Sequence, residues 1–299
     1  MPSFPIIFHP LYDIQYSGEI RFPIQKYQQL KLLLETEGIL RRRNLFVPSS
    51  ITSSMASRTH DPSYVNRVKN FTLSERQKRK IGLPSIDRFC VRSFVAAGGT
   101  LLAAKLALKF GFAVNAAGGS HHAARFEGAG FCIFNDVAIA VNCLLDEGKI
   151  KNVIILDLDV HQGDGTANIF ETDDRVYTVS IHCQKNFPVR KANSNLDKGL
   201  AVGITDKIYL DNLDHTLSEI SHVPADLLVY NAGVDIHEND NLGFLKVSSA
   251  GIKLREKKVV NFAVRRGLPI VVTLGGGYQK NVAKLANLHS MIFRDIDSR

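Results

Sequence analysis

The stretch Val153–Gly165 reads Val-Ile-Ile-Leu-Asp-Leu-Asp-Val-His-Gln-Gly-Asp-Gly and joins an apolar run to groups that can do chemistry. The run has the near-continuous hydrophobicity of a strand covered on both faces. Asp157, Asp159 and His161 follow it at alternate positions. Period-two geometry places those side chains on one side of the strand's carboxyl end. Two carboxylates and an imidazole crowded there repel and lose hydration, and a divalent cation resolves the conflict. Asp oxygen and His nitrogen are ordinary zinc ligands, and three protein ligands leave a position open for water.

Three further segments offer partners for such a centre. Ala-Ala-Gly-Gly-Ser-His-His-Ala (116–123) follows a short apolar run, and Gly118 and Gly119 permit a tight turn that projects His121 and His122. Beside a metal-ligand cluster such a pair has a use, because hydrolysis needs a base for water and an acid for the leaving group, and separate carboxylate partners would tune the two rings differently. Asp157 and Asp164 are the natural partners. Leu-Val-Tyr-Asn-Ala-Gly-Val-Asp (228–235) carries a buried strand to Asp235, a plausible third ligand; alone, it also reads as a turn carboxylate bonding nearby backbone. Val-Val-Thr-Leu-Gly-Gly-Gly-Tyr (271–278) runs into three glycines and Tyr278. No Lys-Ser/Thr or Gly-x-Gly-x-x-Gly follows, which excludes a phosphate loop or dinucleotide site, while a Tyr hydroxyl there can approach a substrate oxygen.

The elements that position these groups alternate between strands and helices. Strands are expected at Ile6–Phe8, Leu45–Val47, Ala113–Asn115, Val153–Leu158, Val176–Ile181, Leu200–Gly203, Leu227–Tyr230 and Ile270–Leu274. Helices are expected at Ile24–Glu35, Phe94–Phe110, Asp136–Glu147 and Lys253–Arg266, the last three stopping at Gly111, Gly148 and Gly267. Alternation of this kind implies a parallel sheet with helices on both faces, and ligands bind beyond the carboxyl ends of its strands. All four motifs fall there. Pro48–Ser63 and Asn186–Lys198 read as surface loops. With no repeat and no linker, residues 1–299 are expected to form one domain.

Composition narrows the function classes. The 299 residues are 45% hydrophobic, ordinary for a protein with a sizeable core. No apolar stretch approaches the roughly 18 residues of a membrane span. The opening Met1–His9 lacks a charged region followed by a long apolar one, so no secretory signal and no membrane attachment are expected. Cys90, Cys132, Cys143 and Cys183 are widely spaced, as for core thiols in a reducing compartment. The net charge of +8 comes from short basic runs interrupted by acids and without interleaved aromatics, so direct nucleic-acid binding is not expected.

Gly-Gly-Ser-His-His-Ala, Gly-Phe-Cys-Ile-Phe-Asn-Asp (130–136), Asp-Leu-Asp-Val-His-Gln-Gly-Asp-Gly-Thr (157–166), Asn-Ala-Gly-Val-Asp (231–235) and Leu-Gly-Gly-Gly-Tyr (274–278) together resemble the zinc-dependent histone deacetylase family. Phe-His-Pro…Arg-Phe-Pro (8–23) and Thr-His-Asp-Pro-Ser-Tyr (59–64) extend the resemblance over almost the whole chain. The compact length and Ser-Ile-His-Cys-Gln-Lys-Asn-Phe-Pro (180–188) look most like class IV and related bacterial members.

The resemblance implies an arginase/deacetylase-like α/β fold in three layers, an eight-stranded, mainly parallel sheet flanked by helices. It implies zinc, with Fe2+ as a possible substitute, held by Asp159, His161 and Asp235. His122 with Asp164 would be the general base. His121 with Asp157 would be the electrostatic partner or proton donor, and Tyr278 would polarise the amide carbonyl. Gly130, Phe131, Phe187 and Gly276 would line a tunnel for the acyl-lysine stem. A structural potassium ion would take Asp157, Asp159, His161, Ser180 and Ile181. Part of a second monovalent site would fall at Phe170, Asp173 and Val176, where Asp173 replaces the usual hydroxyl residue.

The implied activity is hydrolysis of Nε-acyl-lysine, acetyl or longer, in histone tails or other proteins. The protein would then be intracellular: cytoplasmic in a bacterium, nuclear or cytoplasmic in a eukaryote. An acetylpolyamine or other small-amide hydrolase on the same centre is the alternative, and a catalytically silent binding module the less favoured one. His9, His60 and His182 lie near the motifs but read as structural histidines, His237 stands outside the family pattern, and Asp240 reads as a loop brace.

Overall fold

The computed structural model describes residues 4–14, 16, 20–84 and 86–299. The expectation about the N-terminus therefore falls partly outside the described residues at 1–3, and the 8–23 motif does so at 15 and 17–19. Eight strands form one all-parallel sheet: β1 (Ile6–Ile7), β2 (Leu45–Phe46), β3 (Phe112–Asn115), β4 (Val153–Asp157), β5 (Val176–Cys183), β6 (Leu196–Leu200), β7 (Leu227–Asn231) and β8 (Ile270–Thr273). Their spatial order is β2-β1-β3-β8-β7-β4-β5-β6, and every neighbouring pair is parallel. Every residue of β4, β7 and β8 is buried, which is why their sequences read as unbroken apolar runs. Each fully buried aliphatic side chain contributes roughly 1.5–3 kcal/mol, so these central strands fix the register of everything attached to them.

The helices form two groups. α1 (Lys26–Thr36), α10 (Val282–Asp297), α9 (Ser249–Arg266) and α8 (Asp206–Glu219) pack in series. α5 (Ile86–Phe110), α6 (Asp136–Asp146) and the shorter α2 (Ser53–Ala56), α3 (Pro62–Lys69) and α7 (Asp164–Phe170) form the other group; α4 (Glu75–Ile81) leads into α5. The glycines read as helix stops behave as expected, with Gly111, Gly148 and Gly267 all at positive φ.

Several boundaries differ from the sequence reading. The strand expected at Leu200–Gly203 is Leu196–Leu200, set by pairing of Leu200 with Cys183 on β5. Pro48–Ser63, read as a loop, contains α2 and the start of α3, whose caps Thr52 and Asp61 each accept a backbone N–H. α5 begins at Ile86, eight residues before the expected start, and α3, α4, α8 and α10 were not anticipated. Contrary to the composition argument, α5 is long and apolar enough by those two measures to cross a membrane. Most of its apolar stretch is buried, and it packs on α6, β3 and β8, as a core helix does.

Candidate active site

Four contiguous strands deliver the chemistry. In the order β3-β8-β7-β4, their carboxyl ends lead to His121 and His122, to Tyr278, to Asp235, and to Asp159 and His161. The loops continue the sheet's hydrogen bonding past the strand ends: Leu158 N donates to Asn231 O, Ala232 N to Thr273 O, and Leu274 N to Ala117 O. This ladder lets separate segments hold side chains to fixed positions.

The three side chains first grouped on β4 separate. β4 ends at Asp157, so Asp159 and His161 lie in the loop beyond it, and Asp157 bonds His121 instead of joining them. Asp159, His161 and Asp235 do converge, with one donor atom from each within 4.8 Å of the others. His161 Nδ1 lies 3.0 Å from Asp159 Oδ1 and 3.1 Å from Asp235 Oδ2. The second oxygens are tied back: Asp159 Oδ2 accepts from Gly276 N at 2.6 Å, and Asp235 Oδ1 from Val160 N at 2.8 Å. One oxygen of each carboxylate is thereby aimed at the imidazole.

The electrostatics suit a cation. Burial, together with the charge of Asp159, raises Asp235 to about 7. Burial opposes protonation of His161, yet its bonds to Asp159 and Asp235 and their charges raise it to about 10. A pocket that draws protons onto both an acid and an imidazole is short of positive charge, which is the demand a divalent metal meets. Hard oxygens and one imidazole nitrogen fit zinc or ferrous iron.

Beside this cluster stand two histidine–carboxylate pairs. His121 Nδ1 lies 2.6 Å from Asp157 Oδ2, and His122 Nδ1 lies 2.6 Å from Asp164 Oδ1. Their environments separate them. Burial disfavours the charged form of His121, but the charges of Asp157 and Asp159 outweigh it and lift His121 to about 9. Burial and the neighbouring charge of His121 bring His122 down to about 4, against the pull of Asp164. At neutral pH one ring is a proton donor and the other an acceptor.

Tyr278 completes the ring of groups. Burial, with the charges of Asp159 and Asp235, raises its hydroxyl well above the usual tyrosine range, so it stays protonated and able to donate. Its backbone is clamped on both sides: Tyr278 N donates to Asp240 Oδ2 at 2.7 Å, and Asn241 Nδ2 donates to Tyr278 O at 2.5 Å. Asp240 thus braces the glycine-rich loop that carries Tyr278, as its setting suggested.

A cavity of about 330 Å3 opens over these residues, lined among others by His122, Gly130, Phe131, His161, Phe187 and Tyr278. Phe187 meets the His122 ring edge-on at 4.8 Å, and Phe131 lies 5.8 Å from the Tyr278 ring. A side chain at Gly130 would come within 2.6 Å of His122 and 3.1 Å of Phe187, so glycine keeps the passage open. Gly276 lines the inner cavity together with His122, Gly130, Phe131 and Tyr278. A Cβ there would meet Asp235 Oδ2 at 2.0 Å.

The remaining expectations divide. Ser180 pairs in register with Asp157, and His182 Nδ1 lies 3.0 Å from Ser180 Oγ. Asp173 holds the Arg175 guanidinium through both oxygens. His60 is structural, bonded to Ala124 O and Asn135 N, and His9 caps Leu11 N. His237 is occupied by Gln279, Asn239 N and Ser249, and is absent from the ligand cluster. All four cysteines are free and buried.

Three contributors had no role in the sequence reading. Asn231 donates to Asp157 Oδ1 at 3.0 Å and anchors the His121 pair; it lies inside a motif that drew attention only to Asp235. Lys26, fully buried, donates to Gly275 O at 3.1 Å within the glycine loop. Arg255 on α9 donates to Leu158 O at 3.3 Å, Gly233 O at 2.5 Å and Ala232 O at 3.4 Å, joining both ligand-bearing loops. Both cations sit on helices whose sequences look like ordinary amphipathic faces, so no local signal marks them.

Known proteins are similar to this chain in sequence and in fold. A family model described as histone deacetylase domain matches residues 21–293. An uncharacterized protein of Picosynechococcus sp. is 42% identical over 98% of this chain and 98% of its own length. Histone deacetylase 2 of Arabidopsis thaliana is 32% identical over 94% of this chain and 76% of its own. The HDA15 HD domain superposes with a TM-score of 0.79 at 21% identity, over 98% of this chain and 88% of that one. An acetylpolyamine aminohydrolase from Burkholderia pseudomallei superposes with a TM-score of 0.80 at 19% identity, over 99% of both chains. The likeness in sequence runs through the loops that hold the candidate site, and by it this chain, an amidohydrolase with the arginase–deacetylase fold, belongs to the histone deacetylase family.

Proposed function

We propose that this protein is a zinc-dependent lysine deacylase that hydrolyses the side-chain amide of Nε-acyl-lysine in proteins or peptides. The observation that carries the reading is the convergence of Asp159, His161 and Asp235 beside two histidine–carboxylate pairs, His121–Asp157 and His122–Asp164, each at 2.6 Å. Asp159, His161 and Asp235 would hold zinc, with ferrous iron as a substitute. When bound, the metal supplies Lewis acidity for water and carbonyl activation.

The chain's own residues account for the proton movements. Asp164 occupies His122 Nδ1, so Nε2 is the basic atom and takes a proton from the attacking water. As the carbonyl oxygen gains negative charge, the Tyr278 hydroxyl donates a hydrogen bond to it. When the C–N bond breaks, the departing lysine amine needs a proton. His121, kept charged by Asp157, provides the neighbouring positive charge and is a donor within the same cluster. Gly130, Phe131 and Phe187 confine the aliphatic stem and exclude water from the reaction. Ser180 and Ile181, with Asp157, Asp159 and His161, are assigned to a structural potassium ion; occupation of the Phe170–Asp173–Val176 turn is disfavoured because Arg175 already neutralises Asp173.

The test is a panel of lysine peptides with acyl groups from acetyl to long chain, run beside acetylputrescine on metal-quantified protein. Turnover of acyl-lysine peptides supports the reading. Exclusive turnover of acetylputrescine favours the small-amide alternative, which the second structural neighbour's own activity keeps in view.

A further inference from the structure

We propose that Arg21 grips the substrate at the tunnel mouth and selects acyl-lysine segments with a carboxylate beside the modified lysine. The inference rests on the lysine-deacylase reading and names its substrate class. Arg21 lines the mouth cavity and also two flanking grooves of about 950 and about 780 Å3. A peptide that inserts its lysine stem past Phe131 and Phe187 while lying across the mouth must therefore pass Arg21.

The charge around that meeting point is mainly positive among the described residues. Among the described residues, Arg21 is the permanently charged side chain lining the mouth itself. The groove beside Gln279 adds Lys280 and, among the described residues, no carboxylate. The groove between α4 and α5 sets Lys78, Arg79 and Arg88 against Glu75 and Asp87, and Lys78 already takes up Glu75 at 2.9 Å. Arg21 is exposed and engages no hydrogen-bond or ion-pair partner among the described residues.

An uncommitted guanidinium presents a fork that fits a carboxylate through two bonds. It repels a lysine- or arginine-rich segment, and it repels a cationic polyamine. The same surface that favours an acidic flank therefore disfavours a basic tail. Charges at an exposed rim act chiefly on encounter and are screened by salt, so the preference has a salt signature.

The experiment compares acetyl-lysine peptides identical except for Glu or Lys on both sides of the modified residue, using zinc-loaded full-length protein. The readout is the ratio of kcat/KM for the acidic over the basic peptide, which cancels any shared loss of active protein. We expect a ratio of roughly tenfold in the native protein, about one in Arg21→Gln, and inversion in Arg21→Glu. Arg79→Glu should lower the ratio less, and raising salt from about 0.05 to about 0.5 M should shrink it in the native protein. A native ratio of one, or a ratio untouched by Arg21→Glu, overturns this inference alone. Failure to hydrolyse any acyl-lysine peptide overturns the deacylase reading and this inference with it.

Discussion

The rings of His121 and His122 lie 4.1 Å apart, tilted by 50°, each on its own carboxylate. Burial disfavours charge on both rings, but Asp157 and Asp159 outweigh it at His121 while the charge of His121 adds to it at His122, so His121 is the ring that favours the proton.

The pH profile follows from this. Turnover should rise as His122 loses its proton, with an acid limb near 4, and fall as His121 loses its own near 9. Asp164 raises His122, so Asp164→Asn should move the acid limb lower and weaken the base, reducing kcat by roughly 10²–10⁴. A profile measured on kcat for both proteins checks the direction; an acid limb that moves upward contradicts the assignment.

Tyr278→Phe removes the hydroxyl and leaves the backbone clamp of Asp240 and Asn241 in place. Loss of one oxyanion donor typically lowers kcat by about 10²–10³. Metal content should stay unchanged, as read by elemental analysis, which separates a chemical role from a packing one.

Gly276→Ala acts on the proposed metal site. The added methyl meets Asp235 Oδ2 at 2.0 Å and Asp159 Oδ2 at 2.7 Å, and those atoms belong to the ligand set and its bracing. The expected result is at least about tenfold weaker zinc binding in a competition assay, in the range found when groups supporting a metal site are disturbed. Near-native fold by circular dichroism would accompany it.

Arg255→Met tests the support behind the ligands. The guanidinium pairs with Glu256 and holds the carbonyls of Leu158, Ala232 and Gly233. Removing one partner of a buried pair costs about 3–5 kcal/mol. A large loss of thermal stability is expected, partly restored by Arg255→Lys; an unchanged melting temperature contradicts the role.

The central strands are legible because a strand buried on both faces is apolar along its length, and β4, β7 and β8 are dominated by aliphatic residues up to their last positions, Asp157, Asn231 and Thr273. β6 was misplaced because Leu-Asp-Lys-Gly-Leu at the sheet edge has alternate exposure and draws its order from β5. α10 carries a clear apolar stripe at helical spacing, Leu285, Leu288, Ile292, Phe293 and Ile296, that the sequence reading does not use, while α8 buries few apolar residues and gives a weaker signal. At the candidate site, residue types and spacing point to Asp159, His161 and Asp235, whose donor atoms the fold brings within 4.8 Å of one another. Arg255 lies 97 residues from Leu158, and only the packed fold brings them together.

The most direct measurement is zinc titration of chelator-stripped protein with acetyl-lysine hydrolysis as the readout. One zinc per chain should restore activity linearly, and Asp235→Asn should abolish both binding and activity. Undiminished hydrolysis by the stripped protein, or activity that needs two transition ions per chain, would contradict the account.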